Sequence, residues 1–262
     1  MENQPSPASQ NSTTGQSSGG GATFQPLYEQ IKALITRSLV AGEWKPGEAI
    51  PSEFELARRF GVSQGTVRKA IDALAVEFIV VRRQGKGTFV ATHTAPTHQY
   101  RFLRVRADDV ALDSAKHHPR TTFISLQKAK ADKRSAAKLA LRLNQSVSVI
   151  SRVLVFDGRP LIFDEIVLAQ SEFPNLTMEK LVASQGSIYS FLETSYGTRM
   201  VRAEESIKAV GANKLAAKHL GVLVGTPLLS VDRVAYTYGD KPVEWRRGLC
   251  LTEGYSYFND LA

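Results

Sequence analysis

Between residues 63 and 69 the chain reads Ser-Gln-Gly-Thr-Val-Arg-Lys. These side chains suit the reading of a nucleic acid. Gln64 can make two hydrogen bonds to an adenine edge and Arg68 two to a guanine edge, while Thr66 can meet a phosphate or a thymine methyl. Gly65 would let the backbone approach a duplex closely. Ser63 is placed to cap a helix whose N-terminus favours a phosphate, and Lys69 adds charge beside it. Further on, Arg82, Arg83 and Lys86 surround Gly85 and could reach the sugar–phosphate backbone or a minor groove. Phosphate contacts would supply salt-sensitive affinity, and base contacts specificity.

The remaining reactive residues offer less. Cys250 is the one cysteine of 262 residues, so a disulfide-stapled secreted fold and a cysteine–zinc cluster are excluded. It reads as a small buried apolar residue. His117 and His118 are adjacent, which points their side chains apart, and no third metal ligand accompanies them. His93 and His98 fall in a segment without periodicity and are expected to be solvated. No serine or histidine sits in a nucleophile motif. Neither a metal nor a cofactor is expected.

The elements around the first group are legible. Leu27, Ile31, Leu34 and Ile35 form an apolar stripe at helical spacing, and the pattern stops at Gly42 and Lys45-Pro46-Gly47. Ser52 and Glu55 fit a capping box for a second helix with Phe54, Ala57 and Phe60 inside; Gly61 ends it. Ser63 caps a third, with Val67, Ala70, Ile71 and Leu74 inside. Ile79-Val80-Val81 and Thr88-Phe89-Val90 then flank Gln84-Gly85-Lys86-Gly87, which predicts a hairpin. Helix, helix, tight turn, helix and hairpin over residues 25–91 predict a winged helix-turn-helix. The same pattern also fits a small helical domain used for protein contacts.

Charge follows this division. Residues 22–92 carry 10 basic and 7 acidic side chains, residues 93–140 carry 10 and 4, and residues 141–262 carry 13 and 13. A basic N-terminal half on a neutral C-terminal half suits a polyanion-binding module joined to something else. No apolar run approaches the roughly 20 residues needed to span a bilayer. The N-terminus lacks the basic and apolar regions of a signal peptide, so a cytoplasmic location without membrane contact is expected. Residues 1–22 are Ser, Thr, Gln, Asn, Gly and Pro with little apolar content, and are expected to be a disordered tail. The winged domain is assigned to residues 23–91, a linker to 92–99 and a second domain to 100–262.

The second domain contains a weak internal repeat. Lys138 to Leu143, Val149 to Val153 and Asp157 to Ile162 match Leu215 to Leu220, Leu228 to Val234 and Gly239 to Glu244. Each unit reads short helix, strand, basic-Pro turn and strand, and Arg152 and Arg233 correspond, 81 residues apart. An alternating run precedes each unit, and Ser187 caps a helix at Ile188 to Leu192. An α+β domain around an antiparallel sheet with pseudo-two-fold symmetry is expected.

Several of these stretches resemble a known family. Pro26-Leu27-Tyr28-Glu29-Gln30-Ile31, Gly42-Glu43-Trp44-Lys45-Pro46-Gly47, Pro51-Ser52-Glu53-Phe54-Glu55-Leu56-Ala57, Gly61 to Ala70 and Arg83 to Val90 are similar to the winged helix of GntR-family transcription regulators. Asp157-Gly158-Arg159-Pro160, Gly186-Ser187-Ile188-Tyr189, Glu205 to Ala209, Gly225-Thr226-Pro227 and Lys241 to Trp245 resemble the UTRA effector domain of the HutC-like subfamily. The resemblance implies a homodimer on a palindromic double-stranded operator, acting as a repressor, with an anionic small-molecule effector in the second domain. It assigns DNA contacts to Ser63, Gln64, Gly65, Thr66, Arg68, Lys69, Arg83, Gly85 and Lys86. It assigns effector contacts to Arg152, Glu165, Ser187, Tyr189, Glu205, Glu244 and Arg247.

This chain departs from the family pattern at several positions. Gln64 stands where many members have Arg, and Phe54 where many have a polar or basic residue. The Arg-x-Arg strand of phosphosugar-sensing members is Arg152-Val153-Leu154 here, and a late Tyr-Tyr pair is Leu249-Cys250. Arg152 could clamp a carboxylate or phosphate bidentately, Ser187 could add a donor at a helix N-terminus, and Glu165 and Glu244 could accept from hydroxyls or an amine. Each could equally be a surface charge or an internal ion pair, such as Arg152 with Glu165. Two other functions stay open: a constitutive dimeric DNA-binding protein with a degenerate pocket, and an enzyme carrying a basic adaptor domain.

Overall fold

The computed structural model describes residues 25–94, 102–108, 119–184 and 187–259. The polar tail, His98 and the His117-His118 pair lie outside these residues. The first domain holds α1 (Leu27–Val40), α2 (Glu53–Phe60), α3 (Gln64–Val76), β1 (Val80–Arg83) and β2 (Gly87–Val90). Ser52 and Glu55 close a full capping box on α2, and the Ser63 side chain accepts from the Thr66 amide at the start of α3. Gly61 ends α2 at φ 65°, a left-handed conformation that costs glycine little. The α1–α2 connection joins the wing, with the Ile50 amide donating to the Thr88 carbonyl at 2.9 Å.

The inner face of α3 is as its spacing predicts: Val67, Ala70, Ile71 and Leu74 are buried. The other two faces match expectation in part, with Ile31, Ile35 and Ala57 buried and Phe60 packed against the core. On α1 the buried residues are Ile31, Ile35 and Leu39, while Leu27 and Leu34 are exposed. On α2 they are Leu56 and Ala57, and Phe54 is 69% exposed. A short amphipathic helix tolerates a rotation of its stripe, because a neighbouring position can supply the core contact. Val201 and Tyr238 of the second domain pack against this core.

The second domain adds β3 (Val105–Ala107), β4 (Arg120–Lys130), α4 (Lys133–Lys138), β5 (Ser146–Phe156), β6 (Arg159–Ala169), α5 (Met178–Ala183) and α6 (Ile188–Tyr196). It continues through β7 (Arg202–Gly211), α7 (Lys214–Leu220), β8 (Pro227–Thr237), β9 (Lys241–Cys250) and β10 (Tyr255–Tyr257). Six strands form one antiparallel sheet in the order β4-β5-β6-β9-β8-β7. The order is palindromic about the β6–β9 seam, as the sequence repeat predicts. The outer β3 pairs antiparallel with β10.

Strand alternation gives the sheet two faces. Val147, Val167, Val234 and Trp245 gather with Ala136 of α4 on one. Ile150, Ile166, Leu168 and Val243 gather with Leu181 of α5 and Ile188 and Leu192 of α6 in a second cluster, and a third joins Leu154, Ile162 and Cys250 to Ala216 and Leu220 of α7. That second group lies beside the pocket.

Candidate functional site

One candidate surface is the N-terminal turn of α3 with the wing. Gln64, Gly65, Arg68 and Lys69 are exposed there, as are Arg83, Gly85 and Lys86. Ser63 is occupied as a cap, and its Oγ also lies 2.9 Å from Thr66 Oγ1. Gly85 stands at φ 69° in the wing turn, which Lys86 closes by donating its amide to the Arg83 carbonyl. The Arg83 guanidinium lies over the Phe89 ring at 4.6 Å, so its charge is held against the hairpin.

Glu53, unmarked by sequence reasoning, organises this surface. Its carboxylate accepts from Arg68 Nε at 3.0 Å, Arg82 Nη1 at 2.9 Å and Gln64 Nε2 at 3.3 Å. Arg82 also donates Nη2 to Asp72 at 2.8 Å. Partial burial pushes the Glu53 pKa up, but the hydrogen bonds from Arg68, Arg82 and Gln64 outweigh it and hold the carboxyl below its usual range. The side chains that would read bases are therefore held in place by one acidic anchor.

The second site is a pocket over the sheet. Facing strands place Arg152, Asp164, Gly248 and Val231 in one row, and Leu154, Ile162 and Cys250 in the next. On the other side of the first row stand Arg246, Arg233 and Glu205. Gly248 leaves the middle open: a Cβ there would meet Asp164 Oδ1 at 2.9 Å. Ser187, Ile188 and Tyr189 wall the pocket from α6, and Phe102 to Val105 and Tyr257 complete it.

Charge in this pocket is compensated in pairs. Arg152 donates Nε and Nη2 to Asp164 Oδ2 at 2.9 and 2.7 Å. Arg246 donates Nε to Glu244 at 2.6 Å, with Nη1 3.6 Å from Asp164. Arg233 pairs with Glu205, which also accepts from the Tyr257 hydroxyl, and Arg233 reaches the Phe102 carbonyl. Burial lowers the Arg152 pKa. Burial also works to lower that of Arg246, but Glu244 beside it raises it. The Tyr189 phenol is pushed up to about 12, chiefly by burial.

The predicted effector residues divide accordingly. Arg152, Ser187 and Tyr189 line the pocket, Glu205 and Glu244 bind its arginines, and Glu165 and Arg247 do not line it. Arg152 pairs with Asp164, not Glu165. Glu165 lies one residue out of phase, directly across from Arg247, on the opposite face of the sheet. Asp164, Arg233 and Arg246 are the charged residues missed, although the repeat paired Arg233 with Arg152. Strand parity would have found the others, since Arg246, Gly248 and Cys250 share a face with Glu244.

His93 is a correction. It is buried rather than solvated, 1% exposed. Its Nε2 lies 2.9 Å from the Met200 carbonyl, and its ring packs on Tyr189 and Phe102 with centroids 5.5 and 6.0 Å away. Its amide donates to Glu193 of α6 at 2.7 Å, and Thr92 Oγ1 donates to the same carboxylate. Arg199, just past α6, donates Nη2 to the Phe78 carbonyl at 2.6 Å, two residues beyond α3.

Comparison with known proteins gives two family matches. The bacterial regulatory protein family gntR covers residues 27–90, and the UTRA domain covers residues 114–256. The chain is 30% identical over 218 residues to the HTH-type transcriptional regulator YurK of Bacillus subtilis, covering 83% of this chain and 88% of that one. It is 26% identical over 233 residues to MngR of Escherichia coli, a repressor of mannosyl-D-glycerate transport and metabolism, covering 89% and 95%. The crystal structure of the ligand-binding domain of a GntR-family transcriptional regulator from Bordetella bronchiseptica is 39% identical. It superposes with a TM-score of 0.59 over 62% of this chain and 99% of that one.

Proposed function

We propose, from the premise that this chain belongs to the GntR family of bacterial transcription regulators and carries a UTRA domain, that it is an effector-responsive repressor. Its winged helix implies DNA binding, and its UTRA domain implies a small-molecule effector. Family and relatives are regulators rather than enzymes. The finer reading is a cytoplasmic homodimer on a palindromic operator, released when an anionic effector binds. Gln64, Thr66 and Arg68 read base edges in the major groove. Ser63, Gly65, Lys69, Arg83, Gly85 and Lys86 set the register on phosphates. The effector sits over Gly248, between Arg152, Tyr189 and Ser187.

One observation carries the regulatory part. The helix α6 touches the pocket with its first turn and the segment leaving the DNA-binding domain with its last. Ser187 and Tyr189 line the pocket, Glu193 holds Thr92 and His93 at the exit of the wing, and Arg199 holds the backbone after α3. An effector that moves the first turn therefore moves both attachments. It regulates only if it binds the two domain arrangements with different affinity. The buried charged pocket favours this reading over a degenerate remnant.

Fluorescence anisotropy on the intergenic DNA beside the protein's own gene tests it, at two salt concentrations against a scrambled duplex. Competitor-resistant binding that a metabolite reverses is expected. Binding that salt abolishes equally on both duplexes would leave only generic polyanion affinity.

A further inference from the structure

The chemistry of the pocket narrows what can fill it. Its two ends differ. At the α6 end stand Arg246, Arg233 and Tyr189; at the other, Leu154, Ile162 and Cys250 form an unbroken apolar row across three strands, roofed by Leu103 and Val105. Between them the floor is bare backbone at Gly248.

Among the described residues, Arg246 Nη2 at the charged end is buried without a hydrogen-bond partner. Its guanidinium lies 5.1 Å from the Tyr189 ring centre, and the buried Tyr189 hydroxyl has Glu244 and Arg233 beside it. Buried donors without acceptors are costly, and a ligand supplying an oxygen removes that cost. The charge limits how much anion the site accepts. Arg104, Arg152, Arg233 and Arg246 line it, and Asp164, Glu205 and Glu244 are bonded to those arginines or lie beside them. Four cations against three carboxylates leave one positive charge. A monoanion brings the site to neutrality, whereas the dianion of a phosphate monoester overshoots and leaves a buried negative charge. Along the apolar row the one hydroxyl among the described residues is that of Thr121, across from Leu154 at the β4 end, so a polyol placed against it would lose most of its hydration without compensation.

We infer that the effector is a monocarboxylic acid with an apolar carbon body rather than a phosphorylated sugar. Its carboxylate sits between Tyr189 and Arg246, and its body runs over Gly248 onto Ile162 and Cys250. This rests on the reading that this pocket holds the effector, and it adds the chemical class.

The test uses the full-length protein and thermal shift followed by calorimetry. The probes are 4-methylpentanoate and 3-phenylpropionate, their primary amides, and glucose 6-phosphate, all at millimolar concentration. The carboxylates are expected to raise Tm, and the amides and the hexose phosphate are not. Tyr189→Phe, which keeps the ring packing, should weaken the carboxylates about three- to tenfold, the loss of one hydrogen bond. Cys250→Ser should weaken the longer-bodied acid more than acetate, a control with no apolar body. The inference is overturned if glucose 6-phosphate binds more tightly than either acid, if the amides bind as well as the acids, or if neither acid shifts Tm. A carboxylate that binds without changing operator affinity would uphold the ligand class and sink the regulatory reading. A hexose phosphate that releases the operator would do the reverse.

Discussion

Glu53 and Gly248 give single-residue tests of the two sites. Arg68→Ala should weaken specific operator binding by about 1–3 kcal/mol and relax discrimination at one base pair. Unchanged affinity would remove Arg68 from the base-reading set. Glu53→Gln leaves the reading side chains in place but unanchors Arg68 and Arg82. Anisotropy should then record weaker operator binding and slightly tighter binding to scrambled DNA, since one negative charge has left the surface. Equal tightening on both duplexes would reduce Glu53 to a matter of net charge. Gly248→Ala pushes a methyl to within 2.9 Å of Asp164 Oδ1. It should cost about 1–3 kcal/mol of stability by overpacking and abolish effector-induced stabilisation; an intact thermal shift would place the ligand elsewhere. Why Glu53 was not legible in sequence is physical: its importance comes from where Arg68 and Arg82 converge, 15 and 29 positions away.

The elements were more legible than their faces. Capping at Ser52, Ser63 and Ser187, the wing and the repeat all follow from local chemistry, and all appear where the residues place them. On α1 and α2 the spacing places Ile31, Ile35, Ala57 and Phe60 correctly but also points to Leu27, Leu34 and Phe54, which are exposed, because more apolar residues fall near each stripe than a narrow core takes in. On the strands a one-position error is larger, since it reverses the face: Asp164 and Arg246 point into the pocket, and their neighbours Glu165 and Arg247 point away from it. The segment at His93 gave no signal at all. Its neighbours are threonines and a proline, and its burial depends on a helix a hundred residues later. Glu193 of that helix carries a pH consequence. Burial raises its pKa against the opposing hydrogen bonds from Thr92 and His93, so folding favours its protonated form more than the unfolded chain does. Stability from this group is present below the unfolded pKa and is lost as pH rises through the folded one. Urea titrations of the wild type across that window should show this loss, and Glu193→Gln should flatten it. An unchanged slope in the variant would assign the dependence to another group.

At the scale of the whole molecule, the attachments between the two domains among the described residues include Arg199 to the Phe78 carbonyl, Glu193 to Thr92 and His93, and Tyr238 and Val201 against the first core. Arg199→Met should leave both operator and effector binding near wild type while the effector loses most of its power to release DNA. Measured as the ratio of operator affinities with and without effector, coupling of this kind is typically about 1–3 kcal/mol. A wild-type ratio would mean that the signal travels by another route. The joint also bears on timing. Phe102, Arg104 and Arg233 border both the pocket and the cleft between the domains, where Lys32, Thr36 and Glu77 form the far bank. A metabolite arriving from that side must pass through the hinge it will later shift. Its rate of capture then depends on how often the hinge gapes, so a protein clamped on its operator would sense a rising metabolite more slowly than a free one, and the switch would carry a built-in delay.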